Sequence, residues 1–308
     1  MQTIGEFAIQ IGLFYVFILL GALIAKVSKR STALSKLITQ LIINILLPLL
    51  IIEALLSTEI IALSELPAVI VLTIVIQFIG FFILYFRLRE SNMESEKQGA
   101  MLLCVTFNNG IFLPLPIVLM FIGSAGVVIL VFWSVVQMVL FATFGAFLGS
   151  TYSSKDADYR RAMKESLLFP PLIVAIPSLM LLLIGYTLPS EIVSLLSFNG
   201  PTVTYLALFV VGLEVGNRFS TSSVRSSMET ISVRQLIVPI IVFIILPFFG
   251  LAAITRNVLF IESMMPPAVL NVVLASNFDL DAGHAASIVT LGTLIFLPIV
   301  PFIPLLLQ

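Results

Sequence analysis

Two short stretches decide how this chain folds: Phe107-Asn108-Asn109-Gly110-Ile111-Phe112-Leu113-Pro114-Leu115-Pro116 and Glu262-Ser263-Met264-Met265-Pro266-Pro267-Ala268. Each sets a pair of prolines beside polar side chains near the middle of a long apolar run. Proline has no N–H, and its ring clashes with the carbonyl four residues earlier. Pro114 and Pro116 therefore free the carbonyls of Gly110 and Phe112, and Pro266 and Pro267 free those of Glu262 and Ser263. A helix interrupted in this way is tolerated at membrane depth only where the loose backbone is buried in protein or lines a cavity. One isolated proline is often just a kink that neighbours satisfy. Two matched double-proline breaks, one beside Asn-Asn and one beside Glu-Ser, read as a site.

The surrounding runs are those of a membrane protein. Of 308 residues, 60% are hydrophobic and 10% charged, with a mean hydropathy of +1.19; ordinary soluble domains are about 45–50% apolar and about 25% charged. Runs long enough to cross a bilayer, about 18 residues or more with few charges, fall at 7–25, 34–56, 66–86, 99–122, 125–149, 167–185, 200–216, 233–254, 258–276 and 285–306. No Lys or Arg precedes the first run, whereas Lys26, Lys29 and Arg30 follow it, so it reads as a permanent helix rather than a cleaved leader. A net charge of −1 leaves no electrostatic footprint for a nucleic acid. The single Cys104 cannot form an intrachain disulfide and reads as a small core residue. His284 stands near Asp279 and Asp281 without ordered ligand spacing, and no metal site is expected there.

Lys and Arg set the expected orientation. The connections after runs one, three, five and seven, with their helix ends, carry Lys26, Lys29, Arg30 and Lys36; Arg87, Arg89 and Lys97; Lys155, Arg160, Arg161 and Lys164; and Arg218, Arg225 and Arg234. Only Arg256 falls on the other side, so fourteen of fifteen positive charges share one face. That face is expected to be cytoplasmic, with both termini outside a prokaryotic plasma membrane.

Ten spans with a prominent basic loop after the fifth divide into halves 1–154 and 155–308. An odd number per half inverts the second, as in the inverted-topology repeats of many secondary transporters. The two breaks occupy the fourth position of each half, and such paired interruptions point to the substrate site. The expected fold is all-α, with crossed, proline-broken helices four and nine. The half-helices beginning near Pro116 and Pro267 would aim N–H groups and partial positive charge at an anion such as a carboxylate. Asn108 and Asn109 add amide donors and Ser263 a hydroxyl. The freed carbonyls and the Glu262 carboxylate suit a proton or small cation, with Gln77 the most plausible polar neighbour of Glu262. Gly212-x-x-x-Gly216 and Gly145-x-x-x-Gly149 allow close helix approach, read as packing or dimer contact. Ser287, Thr290 and Thr293 recur every three residues and either line a path or pack a helix. Glu53 and Glu214 are expected to reach interfacial water.

Several motifs, in order and on the matching runs, resemble the auxin efflux carrier family: Asn44-x-x-x-Pro48-Leu-Leu-Ile, Asn109 seven residues before Pro116, Met265-Pro266-Pro267-Ala268, and Ala286-Ser287-Ile288-Val289 leading to Leu297-Pro298. The resemblance covers essentially the whole chain. It implies ten helices in two inverted five-helix repeats, as in sodium–proton antiporter and bile acid symporter folds. It further implies organic-anion substrates such as auxin, malate or malonate, and elevator-type movement of a crossover domain (spans three to five and eight to ten) against a scaffold (spans one, two, six and seven), where a homodimer would also form. By this resemblance Asn109, Pro116 and Pro266 sit beside the substrate carboxylate, with Gly110, Pro114 and Pro267 in the same break regions.

The chain departs from the family in places. The family often has glycines two and five residues before the proline of helix four, where this chain has Pro114 and Ile111, with Gly110 shifted by one. The long loop after helix five of plant members is absent. Glu262 is similar to the sodium-binding glutamate of bile acid symporters, which keeps Na+ beside H+ as a coupling ion and a sodium-coupled bile-acid-like symporter as the alternative within transport. A non-transporting membrane receptor is the alternative outside it. No cofactor is expected, and enzyme chemistry finds no support: there is one His, no His-Glu-x-x-His, no Gly-x-Ser-x-Gly and no Walker-type Gly-x-x-x-x-Gly-Lys.

Overall fold

A computed structural model describes residues 4–57, 63–153, 170–217 and 224–307. The described residues are helical, with no strand; the one β-type contact is an isolated antiparallel bridge between Asn108 and Pro267. In chain order the helices are α1 (Ile4–Val27), α2 (Ser31–Leu56), α3 (Leu66–Leu88), α4 (Ser95–Thr106), α5 (Pro114–Phe121), α6 (Ser124–Tyr152), α7 (Pro170–Leu183), α8 (Ser190–Leu196), α9 (Asn199–Asn217), α10 (Val224–Phe249), α11 (Ala253–Met264), α12 (Leu270–Asn277) and α13 (Ala282–Leu305).

Seven of these stretches are long and apolar enough to cross a membrane: Ile9–Val27, Ser31–Leu56, Leu66–Leu88, Ser124–Tyr152, Ser190–Asn217, Val224–Phe249 and Ala282–Leu305. The protein is a multi-pass membrane protein. The runs at 99–122 and 258–276 are each split in two, into α4 and α5 and into α11 and α12, because the prolines leave no continuous ladder there. The second half-helix of the later break starts at Leu270, three residues beyond the expected Pro267. The boundary at 154/155 and the charges Lys155, Arg160, Arg161, Lys164 and Arg218 lie outside the described residues.

Small residues decide which helices meet. α1 packs along α9, and a Cβ added at Gly212 would land on the carbonyl of Ile18, while one at Gly21 would land on that of Phe209. The Gly212/Gly216 pair therefore packs within the chain. Gly145 and Gly149 serve likewise: side chains there would press on Leu274 and Phe278, so α6 lies close to α12 and the turn after it. In α2 the helix is wound as a π-turn over Ile42–Leu46 just before Pro48, and the Leu46 carbonyl is taken by the Asn199 side chain at 2.8 Å. Ser287 and Thr293 donate back to carbonyls of their own helix, which favours the packing reading of that stripe.

The buried apolar residues form two clusters, and the boundary between them recurs along α3, α6 and α10 and across both breaks. Ile76 belongs to one and Phe81 to the other; so do Trp133 and Phe141, Leu113 and Phe107, Met265 and Leu274, Val238 and Val233. Between the members of these pairs lie Gln77, Gln137, Asn108 with Asn109, Asn271, and Arg234. A polar layer thus crosses the apolar interior where the two broken helices meet.

Candidate functional site

The breaks are joined through their own backbones. The Asn109 N–H donates to the Pro266 carbonyl at 2.7 Å, and the Ala268 N–H to the Phe107 carbonyl at 3.0 Å, so two loose segments satisfy each other as a one-bridge ladder. Phe107's carbonyl also accepts from Asn271 Nδ2 at 2.8 Å. Two of the four carbonyls expected to be freed are capped by side chains: Gly110's accepts from Ser134 Oγ at 2.6 Å, and Glu262's from Asn108 Nδ2 at 3.0 Å and Arg234 Nη2 at 3.2 Å, beside the Met265 N–H at 3.2 Å.

Asn108 is the hub. Its Nδ2 also donates to Glu262 Oε2 at 2.7 Å, and its Oδ1 accepts from Gln77 Nε2 at 3.1 Å. Gln77 is therefore linked to Glu262 through Asn108; the expected direct pairing of Gln77 with Glu262 is not made. Gln137 completes the hub, donating to the Asn108 carbonyl at 2.5 Å and accepting from Gln77 Nε2 at 2.8 Å and Trp133 Nε1 at 2.9 Å. Gly110 makes room for it, since a Cβ there would stand 2.8 Å from Gln137 Oε1. Asn108, Gln77, Arg234 and Glu262 are all fully buried. Ser263 donates its hydroxyl to its own helix, to the Phe260 carbonyl at 2.6 Å.

Asn109 behaves differently from its neighbour. Its Oδ1 accepts from the N–H groups of Phe112 and Leu113 at 3.1 and 3.4 Å, next to the start of α5 at Pro114. Its side-chain nitrogen makes no hydrogen bond with a described residue and is the spare donor at that helix start. Pro116, two residues into α5, lines a cavity of about 650 Å³ that opens where α1 begins and α2 ends. Other lining residues are Gln10, Glu53, Ser197, Thr204 and Tyr205. Glu53 lines this cavity, and Glu214 accepts from Ser35 Oγ at 2.5 Å.

Arg234 was expected as one of the basic loop charges. The helix carrying it begins earlier than the apolar run, at Val224, which sets Arg234 ten residues or about 15 Å along α10. Together with Gln137, Ser134 and Trp133 it belongs to the polar network around the breaks and is not among the residues singled out from the sequence. The available signals were the polar pair Ser134/Gln137 at i, i+3 inside an apolar span, and the helix-compatible residues between Val224 and Val233. His284 lies in the first turn of α13 with its N–H capped by Asp281 Oδ1 at 2.8 Å, and no group of three metal-ligating side chains occurs among the described residues.

Residues 10–304 match the family model described as membrane transport protein. The chain belongs to this family. It is the auxin efflux carrier family that the motifs resemble. An uncharacterized transporter of Methanothermobacter thermautotrophicus is 25% identical over 287 residues, covering 93% of each chain. A second uncharacterized transporter, of Methanocaldococcus jannaschii, is 26% identical over 266 residues, covering 84% of this chain and 85% of that one. The match of the membrane transport protein model spans both breaks and every element of the polar layer.

Proposed function

We propose that the protein is a secondary transporter of small organic anions, and that the substrate carboxylate is taken at the meeting of the two breaks, by Asn109 Nδ2 and the N-terminal end of α5. The observation that carries this is the division of labour between the two asparagines: Asn108 is fully used inside the protein, whereas Asn109 holds the helix start and keeps a donor spare. Gly110, Pro114 and Pro116 shape this side of the site; Pro266 and Pro267 brace it from the other break.

In this reading the chain crosses the membrane ten times as two inverted halves, α4–α5 and α11–α12 counting as one crossing each. The helix contacts support it, because they come in the pairs that such a repeat generates: α1 with α9 and α7 with α2, α3 with α6 and α10 with α13, α11 with α6 and α4 with α13. The crossover domain then moves past the scaffold of α1, α2, α7 and α9 as an elevator, and the cavity reaching Pro116 is the approach from one side. Glu262 is the group on which coupling to H+ or Na+ would act, with Gln77 reaching it through Asn108.

The test is flux of labelled malonate, malate and indole-3-acetate into sealed proteoliposomes. Uptake of one of them that Asn109→Ala abolishes is the expected result. Binding of a carboxylate without any flux would favour the receptor reading instead.

A further inference from the structure

We propose that the groove between α10, α11 and α13 holds one acyl chain of an anionic glycerophospholipid, and that Arg256 binds the phosphate of its headgroup. This site lies apart from the meeting of the breaks and does not depend on what the protein carries.

The groove is a cavity of about 450 Å³. Leu236, Pro239, Ile240, Phe243 and Ile244, which share one face of α10, form one wall, and Phe260 and Met264, one turn apart on α11, form another. Leu236, Ile240, Phe243 and Ile244 are 59%, 52%, 41% and 58% exposed, and they belong to a helix long and apolar enough to cross a membrane. The groove therefore opens sideways, onto hydrocarbon. Gln235 is the one polar residue of its lining, and its amide is bonded to the Gly292 carbonyl at 3.1 Å. From Gln235 to Leu246 the wall runs eleven residues along α10, about 16 Å, against about 15 Å for half of a bilayer's hydrocarbon core. That is the depth of one leaflet.

At its α10–α11 end the groove continues into a small recess that shares Phe243, Phe260 and Leu306 with it and adds Leu246, Arg256 and Asn257. Arg256 stands in the first turn of α11 and is the single basic residue on its expected side of the membrane. Its Nε is buried without a partner among the described residues, where the one ion pair within 4.0 Å joins Arg87 to Glu229. Glu65, which reaches the same turn, is engaged by the Ala252 N–H and the Thr255 hydroxyl. A buried donor of a charged group left unbonded is costly, and the guanidinium fork fits phosphate oxygens. A choline headgroup would bring its own cation beside Arg256, whereas a headgroup of net negative charge would not. Chain and charge thus point to one occupant, with its tail in the groove and its phosphate at the recess.

The experiment sets a tryptophan on the rim of the groove, Ile240→Trp, and reconstitutes the variant in phosphatidylcholine vesicles holding a minor fraction of brominated-chain lipid, either phosphatidylglycerol or phosphatidylcholine. Bromine quenches a tryptophan that it touches, while Trp133, the chain's own tryptophan, is fully buried and gives a constant background. Attraction of an anionic lipid by one basic residue corresponds to an enrichment of up to about fivefold, so brominated phosphatidylglycerol should quench about two- to fivefold more than brominated phosphatidylcholine. Adding Arg256→Gln should bring the two lipids to parity, and adding Lys36→Gln, which removes a charge expected on the other face, should leave the preference intact. Equal quenching by the two lipids before Arg256 is changed, or a preference that survives Arg256→Gln, would overturn the proposal. Should Ile240→Trp not fold, the parent in uncharged detergent serves: phosphatidylglycerol should raise its melting temperature more than phosphatidylcholine does, and Arg256→Gln should remove that difference. A difference absent from the parent, or kept by Arg256→Gln, would likewise overturn the site.

Discussion

Adjacent asparagines with opposite fates are the most informative pair in the molecule. Asn108 holds the Glu262 carboxylate and carbonyl and accepts from Gln77, all out of contact with solvent. Removing it leaves a buried carboxylate oxygen and an amide unsatisfied, so Asn108→Ala should destabilise by about 3 kcal/mol or more, read by denaturant or thermal unfolding. Asn109→Ala removes one helix cap and should cost only about 1 kcal/mol, while its effect on carboxylate binding should be severe. Equal losses of stability in the two variants would contradict the separate roles. Gly110→Ala is the third residue-scale test: its methyl group would press on Gln137 Oε1 at 2.8 Å, pushing Gln137 off the Asn108 carbonyl. A destabilisation of about 1–3 kcal/mol is expected, and a variant as stable as the parent would show that Gln137 can shift freely. None of this discrimination was legible from the residue types, because Asn108 and Asn109 look alike until the two breaks are placed against each other.

Among the elements, both breaks were readable in advance, since a proline pair in an apolar run has few other physical outcomes. Their boundaries were less so: the later half-helix starts at Leu270 because the Ala268 N–H is committed to Phe107's carbonyl, a long-range bond that local sequence does not carry. The same limit hid Arg234. The apolar run begins at Val233, but Val224–Ser232 is helical with a polar surface, and that extension draws Arg234 inward. The glycine pair in α9 was legible as a close-approach motif, and the structure supplies its partner, α1. Gly212→Val should force α9 from α1, because its side chain would meet the backbone of Ile18 and Ala22 rather than a flexible side chain. Loss of about 2 kcal/mol or more is expected, visible as a lower melting temperature; the corresponding change at Gly123, where nothing lies within 4 Å, strains only a turn at φ 92°.

Over the whole molecule, an apolar chain of this composition could only be a membrane protein, and the family match agrees. Less visible beforehand was the polar layer that separates two apolar clusters across α3, α6, α10 and both breaks. Its members are scattered single polar residues, each of which reads alone as a tolerated exception in a span. They come together only because the fold packs the two breaks against each other, with Asn108 bonded to the second break through Glu262. On the proposed function, this layer binds a carboxylate through Asn109. The most direct test is thermal stabilisation of the parent and of Asn109→Ala by malonate, malate and indole-3-acetate, since a ligand bound to the folded state raises its stability by mass action. At least one of these anions should raise the parent's melting temperature and leave that of the variant unchanged. An anion that stabilises Asn109→Ala as well as it does the parent would contradict the claim.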